Sequence, residues 1–350
     1  MKSLRLVCLL LLLVCLAPVR ANFILLPMDE VSQKNHLKAY GITYWCLDKQ
    51  YKASWLLNYR GGSFLLPDGD DIRKECQIRG VSFEVLTDGA TAAILEEISS
   101  PSQNMETVVL EKAPKIAVYT PKGKQPWDDA VTMVLTYAEI PYTEIYDEEV
   151  LSDQLVLYEW LHLHHEDFTG QYGKFFGNYR NAPWYIQQKL DSEALAKKLG
   201  FNKVSEEKRA VATKIRDYVI GGGFMFAMCS ATDSFDIALS AESTDICEPM
   251  FDGDASEPNY QAKIDYTNTF AFKDYILEKQ PMKYEFSDID TTEEHGKGSF
   301  SMEVDYFTLM DFSAKWDPIP TMLCQNHTQI VKGFMGQTTA FAADKIKSNV

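Results

Sequence analysis

The residues best suited to chemistry lie between Tyr218 and Ile237, in the series Tyr-Val-Ile-Gly-Gly-Gly-Phe-Met-Phe-Ala-Met-Cys-Ser-Ala-Thr-Asp-Ser-Phe-Asp-Ile. A helix-patterned segment ends at Gly221, Gly222 and Gly223. The apolar run from Phe224 to Met228 is too short for a helix and does not alternate, which predicts a strand buried on both faces. Cys229 falls where that strand must stop. Ser230 and Ala231 are small, and Thr232, Asp233 and Asp236 suit the first turns of a helix. A thiol on such a turn stands above the sheet, beside backbone N–H groups and the positive end of a helix. That environment lowers a thiol pKa and holds an oxyanion. The chemistry is nucleophilic attack on an acyl carbon, with backbone N–H groups near Ser230 as donors. The competing reading makes Cys229 a small hydrophobe closing a strand, with Phe226 and Met228 as core.

A second group of chemically able residues is His162-Leu163-His164-His165-Glu166-Asp167, at the end of an expected strand from Leu155 to His164. Two-residue periodicity puts His162 and His164 on one face and His165 on the other. In an open parallel sheet, sites gather at the carboxyl ends of strands. A general base, a metal ligand and a substrate clamp all suit these side chains, as do plain hydrogen-bonded histidines. No second cluster stands at ligand spacing, so no metal site is expected. His164 and His165 are the candidate bases, and Gly222, Gly223, Ser230 and Glu166 the candidate substrate-binding residues.

The Gly-Gly, apolar strand, Cys, small-residue series resembles the class I glutamine amidotransferase-like fold, and Cys229 matches its nucleophile. From Asn22 onward the chain is similar to a family of exported bacterial proteins labelled asparagine synthetase B. The resemblance implies a flavodoxin-like α/β fold and a Cys, His and acid arrangement, with the His on a strand after the nucleophile. His295 and His327 follow Cys229, and neither stands in a His-x-Glu sequence. A base beyond Val350 is the remaining possibility under that resemblance. Where the amidotransferase pattern has Gly-x-Cys-x-Gly, this chain has Ala227-Met228-Cys229-Ser230-Ala231, and each alanine adds a Cβ where substrate approaches. A glutamine-hydrolysing asparagine synthetase needs an N-terminal Cys and a Ser-Gly-Gly-x-Asp-Ser loop for ATP, and the sequence has neither. The expected function is a thiol hydrolase or amidase acting on a small amide or acyl substrate, with no cofactor. A non-catalytic binding protein on the same architecture is the alternative, and the labelled synthetase activity is disfavoured.

Positioning these residues takes a chain of 350 residues, 46% hydrophobic and 24% charged, enough for one large or two ordinary domains. Lys2 and Arg5 precede an apolar run from Leu6 to Leu16, and Val19-Arg20-Ala21 is a small-residue cleavage site. Residues 1–21 therefore read as a secretory signal peptide, its apolar run too short for a membrane span, and the expected location is periplasmic or extracellular. A formal net charge of −16 repels nucleic acid and anionic lipid surfaces. Cys46, Cys76, Cys229, Cys247 and Cys324 remain after cleavage, an odd set that leaves at least one thiol without an intramolecular partner.

The expected organisation is an α/β unit over residues 22–112 and an amidotransferase-like domain over 113–350. In the first, strands near Asn22 to Met28, Ser54 to Tyr59 and Val81 to Leu86 alternate with helices near Lys34 to Leu47, Asp70 to Ile78 and Ala90 to Ile98. Such alternation predicts a mostly parallel sheet. In the second, strands at Lys115 to Thr120 and Tyr142 to Tyr146 flank a helix carrying Val131, Val134 and Ala138. The aromatic stretch Gly170 to Trp184 is either a substrate cover or a loop packed by its own rings. Helices near Ser192 to Leu199 and Glu206 to Val219 lead to the elbow. The acidic run Thr244 to Tyr260 contains Asp252-Gly253-Asp254, whose neighbours lack calcium-loop spacing, so a solvated insertion is expected. Lys122 and Lys124 lack the spacing of a phosphate loop, and Asn326-His327-Thr328 matches a glycosylation sequon.

Overall fold

The computed structural model describes residues 23–121, 130–290, 305–308, 330–333 and 341–347. The segment read as a signal peptide, Lys122, Lys124, His295, Cys324 and the sequon match lie outside them. The chain divides into two compact units, with the main break between Ala113 and Pro114. Tyr137–Ile140 and residues 306–308 group with the first unit, which nothing in the local sequence signals.

The first unit runs β1 (Phe23–Leu26), α1 (His36–Asp48), β2 (Ala53–Leu57), β3 (Ser63–Pro67), α2 (Asp70–Arg79), β4 (Glu84–Leu86), α3 (Asp88–Ser99) and β5 (Glu106–Leu110). Its sheet has the order β4-β1-β3-β2-β5 and every pairing is antiparallel, which corrects the expected parallel sheet. The reason lies in a strand that the reading missed. β3 follows β2 after a tight turn in which Gly61 and Gly62 take φ 79° and 84°, and so short a connection can only return the chain antiparallel. A Cβ on Gly61 would lie 2.5 Å from the carbonyl oxygen of Met28, so the turn is closed to larger residues. Ile24, Leu26, Ile42, Phe64 and Leu66 form the core around the buried Cys46 and Cys76.

The second unit is mixed α/β with a parallel sheet. β6 (Ile116–Tyr119), α4 (Ala130–Ala138), β7 (Tyr142–Ile145), α5 (Asp147–Leu151), β8 (Trp160–Leu163), α6 (Pro183–Lys198), α7 (Val204–Ile220), β9 (Phe224–Ala227) and α8 (Ala231–Ser240) follow in order. The sheet order is β7-β6-β8-β9, all parallel. Tyr119, Leu161, Leu163 and Phe168 pack with Val211 and Ile215 of α7 and Phe235 and Leu239 of α8. Behind α8, the Asp236 carboxylate accepts the N–H groups of Phe270, Ala271 and Phe272 at 2.8, 2.7 and 2.9 Å, stitching the following loop to the helix. A separate two-stranded sheet pairs β10 (Asp305–Thr308) with β11 (Ile330–Gly333). Among the described residues, no helix is long and apolar enough to cross a membrane.

Three expectations change here. β9 is not buried on both faces. Among the described residues it pairs only with β8, at the end of the sheet, and Phe224, Phe226 and Met228 are 58%, 44% and 38% exposed. The strand expected from Leu155 shrinks to β8, preceded by a single helical turn at Gln154–Leu157. Helix α6 begins at Pro183 rather than near Ser192, since proline's fixed φ suits the first helical position. The aromatic stretch before it is packed by its own rings, with Trp184 5.7 Å from Phe175 and 5.1 Å from Tyr179.

Candidate active site

The elbow is built by the handover from β9 to α8. Met228 extends the ladder by one bond, its N–H donating to the Leu163 carbonyl at 3.0 Å. Cys229 then turns to φ 52°, in the left-handed region where a Cβ is costly by on the order of 1–3 kcal/mol. Its neighbours hold it there. The Ser230 hydroxyl donates to the His165 carbonyl at 2.7 Å, the Ala231 N–H to the Met228 and His164 carbonyls at 3.2 and 3.4 Å, and the Ser234 hydroxyl to the Glu166 carbonyl at 3.1 Å. The segment that leaves β8 thus anchors the turn that leaves β9, and the strain at Cys229 is held by at least three contacts.

The described cysteines fall into two kinds. Cys46, Cys76 and Cys247 are buried, and Cys229 is exposed. Burial pushes the Cys46 and Cys76 thiols up to about 12 and Cys247 well above its usual range, which makes them inert. The Cys229 residue reaches solvent while its sulfur is packed enough for burial to raise its pKa as well. The Ser230 N–H and hydroxyl pull that pKa down, and the negative charges of Asp233 and Glu166 push it up, with a net rise. At pH 7 the thiol is protonated.

Cys229 opens into a cavity of about 20 Å³ shared with Ser230, Asp233, Tyr284, Glu285 and Asp290. Asp233 lies in the first turn of α8, four residues after Cys229. It is buried, and burial followed by the charge of Asp290 pushes its carboxyl up to about 8, so it too is protonated at neutral pH.

The histidine segment faces elsewhere. His162 stacks on Phe226 of the neighbouring strand, ring centroids 5.7 Å apart. His164 and His165 meet through their Nδ1 atoms at 3.1 Å. His165, Glu166 and Asp167 line a second cavity of about 50 Å³, together with Tyr146 and Lys208. There Lys208, buried, donates to both oxygens of Asp147 at 2.9 and 2.7 Å and to the hydroxyls of Tyr119 and Tyr146 at 3.0 and 2.9 Å. Burial alone would lower the Lys208 pKa, and the Asp147 carboxylate more than reverses that. The Asp167 carboxylate is used structurally, accepting the N–H groups of Thr169 and Gly173 at 2.7 and 3.0 Å.

Of the residues expected at the site, the structure brings together Cys229, Ser230 and the main chain of His164, His165 and Glu166. It sets the His165 and Glu166 side chains in the neighbouring cavity. Gly222 and Gly223 do not join this group. They precede β9, so the strand's four residues, roughly 13 Å of rise, separate them from Cys229, and they line a cavity of about 530 Å³ at the opposite end of the sheet. Thr232 and Asp236, expected as caps, bond elsewhere, Thr232 back to the Cys229 carbonyl at 2.6 Å.

The acidic run is also organised differently. Asp245, Cys247 and Asp252 come close enough to hold a metal ion, but the ammonium of Lys203 sits among Asp245, Asp252 and Asp254 at 2.6, 3.2 and 2.5 Å. One ammonium thus offsets part of the charge of three aspartates, so the acidic run is tied down at this point rather than left free in solvent. Sequence reasoning missed Asp233 as a cavity residue, although its spacing from Cys229 signalled it. Tyr284, Glu285 and Asp290 gave no signal, because only the return of a distant loop brings them in.

Compared with known proteins, the chain matches no family model, no curated protein and no solved structure.

Proposed function

We propose that this protein is an exported thiol hydrolase or amidase of the class I glutamine amidotransferase-like kind, with Cys229 as nucleophile. One observation carries the reading. Cys229, the exposed thiol among the described cysteines, stands at φ 52° between a parallel strand and a helix, the geometry of a nucleophile elbow. The sheet order β7-β6-β8-β9 supports the flavodoxin-like part of the proposal, since counted from β6 it reads 2-1-3-4.

In this mechanism the thiolate form of Cys229, its proton released to solvent, attacks the carbonyl carbon and the oxyanion forms beside the Ser230 N–H. Asp233, protonated at neutral pH, is a proton donor for the leaving amine within the same cavity. Water then cleaves the thioester. In this reading the main-chain carbonyls of His164 and His165, which accept from the Ala231 N–H and the Ser230 hydroxyl, brace the elbow. The raised thiol pKa favours a second reading, a binding protein that keeps the architecture without the chemistry. Synthesis of asparagine is not supported, because the ATP loop is missing.

The two readings separate with p-nitrophenyl acetate. A nucleophile gives a burst of nitrophenolate stoichiometric with protein, an acetyl group on the Cys229 peptide, and no burst in Cys229→Ala. An identical time course for both proteins removes the hydrolase reading.

A further inference from the structure

The cavity beside Lys208 takes no part in the chemistry proposed at Cys229. It lies where the chain leaves the parallel sheet, for Pro121 follows β6, Tyr146 follows β7 and His165 follows β8, and all three line it. From β6 the chain passes to β7 on one side and then to β8 and β9 on the other, so the strand order reverses between β6 and β8. Open parallel sheets take ligands at the carboxyl ends of the strands beside such a reversal.

Two further features of the walls point to a ligand. On α6, Gln188 and Ser192 stand one turn apart and both line the cavity. The Gln188 side-chain oxygen is buried and accepts no hydrogen bond. Tyr185, a turn earlier on the same helix and 3% exposed, has a hydroxyl without a partner, and its ring lies 6.2 Å from that of Tyr172 in the lining. Buried polar atoms are nearly always hydrogen-bonded, so an orphan in a cavity wall is an acceptor open to a ligand. Another wall is strained. Tyr172, Gly173 and Lys174 take φ 54°, 67° and 54°, left-handed values that burden the two residues carrying a Cβ. Asp167 holds the run by accepting the Gly173 N–H at 3.0 Å, and the Lys174 ammonium by donating to the Glu278 and Gln280 carbonyls at 2.9 and 3.3 Å. Backbone fixed in such conformations gathers at ligand clamps.

We infer that this cavity binds a small neutral molecule through an amide or urea group. A ligand N–H donates to the Gln188 oxygen, and the ligand carbonyl accepts from the Tyr146 hydroxyl. That hydroxyl accepts from Lys208 at 2.9 Å and, its pKa raised by burial, keeps a proton to give. Size and charge narrow the class. About 50 Å³ is room for roughly three to five waters at 10–15 Å³ each, and so for about four heavy atoms. The Lys208 ammonium is shared by both oxygens of Asp147, and the Asp167 carboxylate lines the cavity, so a carboxylate in the ligand is repelled.

Acetamide, acetone and acetate share one shape and differ in what they offer. Acetamide donates and accepts, acetone only accepts, and acetate is charged. Saturation-transfer NMR on the full chain at neutral pH, followed along a titration of each probe, tests the site. The acetamide midpoint should lie about tenfold below those of acetone and acetate. In Gln188→Leu the acetamide and acetone midpoints should converge, and in Ser192→Phe, which fills the cavity, transfer to acetamide should disappear. Cys229→Ala should bind acetamide as the parent does. Transfer to none of the probes means that the cavity holds water only, and overturns the site. Equal midpoints for acetamide and acetone in the parent, or a preference for acetamide that survives in Gln188→Leu, overturn it as well. Loss of acetamide binding in Cys229→Ala does so too, by placing the ligand at the elbow.

Discussion

The Ser230 hydroxyl donates to the main-chain carbonyl of His165 at 2.7 Å, and this bond ties the residue after the elbow cysteine to the segment that leaves β8. Cys229 keeps a left-handed backbone because the turns on either side of it are fastened to each other. The two stretches singled out for their chemistry are thus one mechanical unit, although their side chains serve different cavities.

Ser230→Ala tests that fastening. The His165 carbonyl loses its donor, at a cost of about 1 kcal/mol, read as a lower urea midpoint with an unchanged slope. The hydroxyl also lowers the Cys229 pKa, so the pH midpoint of thiol labelling should move upward. If both midpoints stay put, the tether is not what holds the elbow.

Asp233 gives a pH signature. Its carboxyl titrates at about 8 in the folded protein against an ordinary 3.8, so the folded state holds the proton more tightly. The stabilisation this brings is complete below pH 3.8 and is lost as pH rises through about 8. Glu207, also pushed up to about 8 by burial, adds a contribution of the same sign. Asp233→Asn removes one of the two, so its stability should fall less steeply than the parent's between about pH 5 and pH 9. Parallel curves from chemical denaturation would contradict a buried, protonated Asp233.

Lys208 and Asp147 are respectively 6% and 1% exposed in their side chains, which makes theirs a buried ion pair. Lys208→Met strands the Asp147 carboxylate, with an expected loss of about 3–5 kcal/mol in guanidinium unfolding. Lys208→Met/Asp147→Leu should recover much of that loss, because no uncompensated charge remains. A single variant that costs less than about 1 kcal/mol would mean that water reaches the pair.

Much of the candidate site was legible because it is local. The glycines, the apolar run and the small residues after Cys229 mark a strand, a stop and a helix start within one short stretch, and α8 does begin at Ala231. The same locality misled at β9. An apolar pentapeptide reads as a buried central strand, and whether a further strand covers it depends on chain far away. In the first unit, β3 behind the turn at Gly61 and Gly62 was not read as a strand, and the sheet's direction was lost with it.

Hydrophobic periodicity and backbone preference act between neighbours, and so the order of residues already dictated that Cys229 would end a strand, that a helix would follow, and that the His162 to Asp167 run would close another strand. Which groups then surround the sulfur was settled by folding. Tyr284, Glu285 and Asp290 reach Cys229 only because the loop held by Asp236 returns across α8, a closure between distant segments that no short-range pattern encodes.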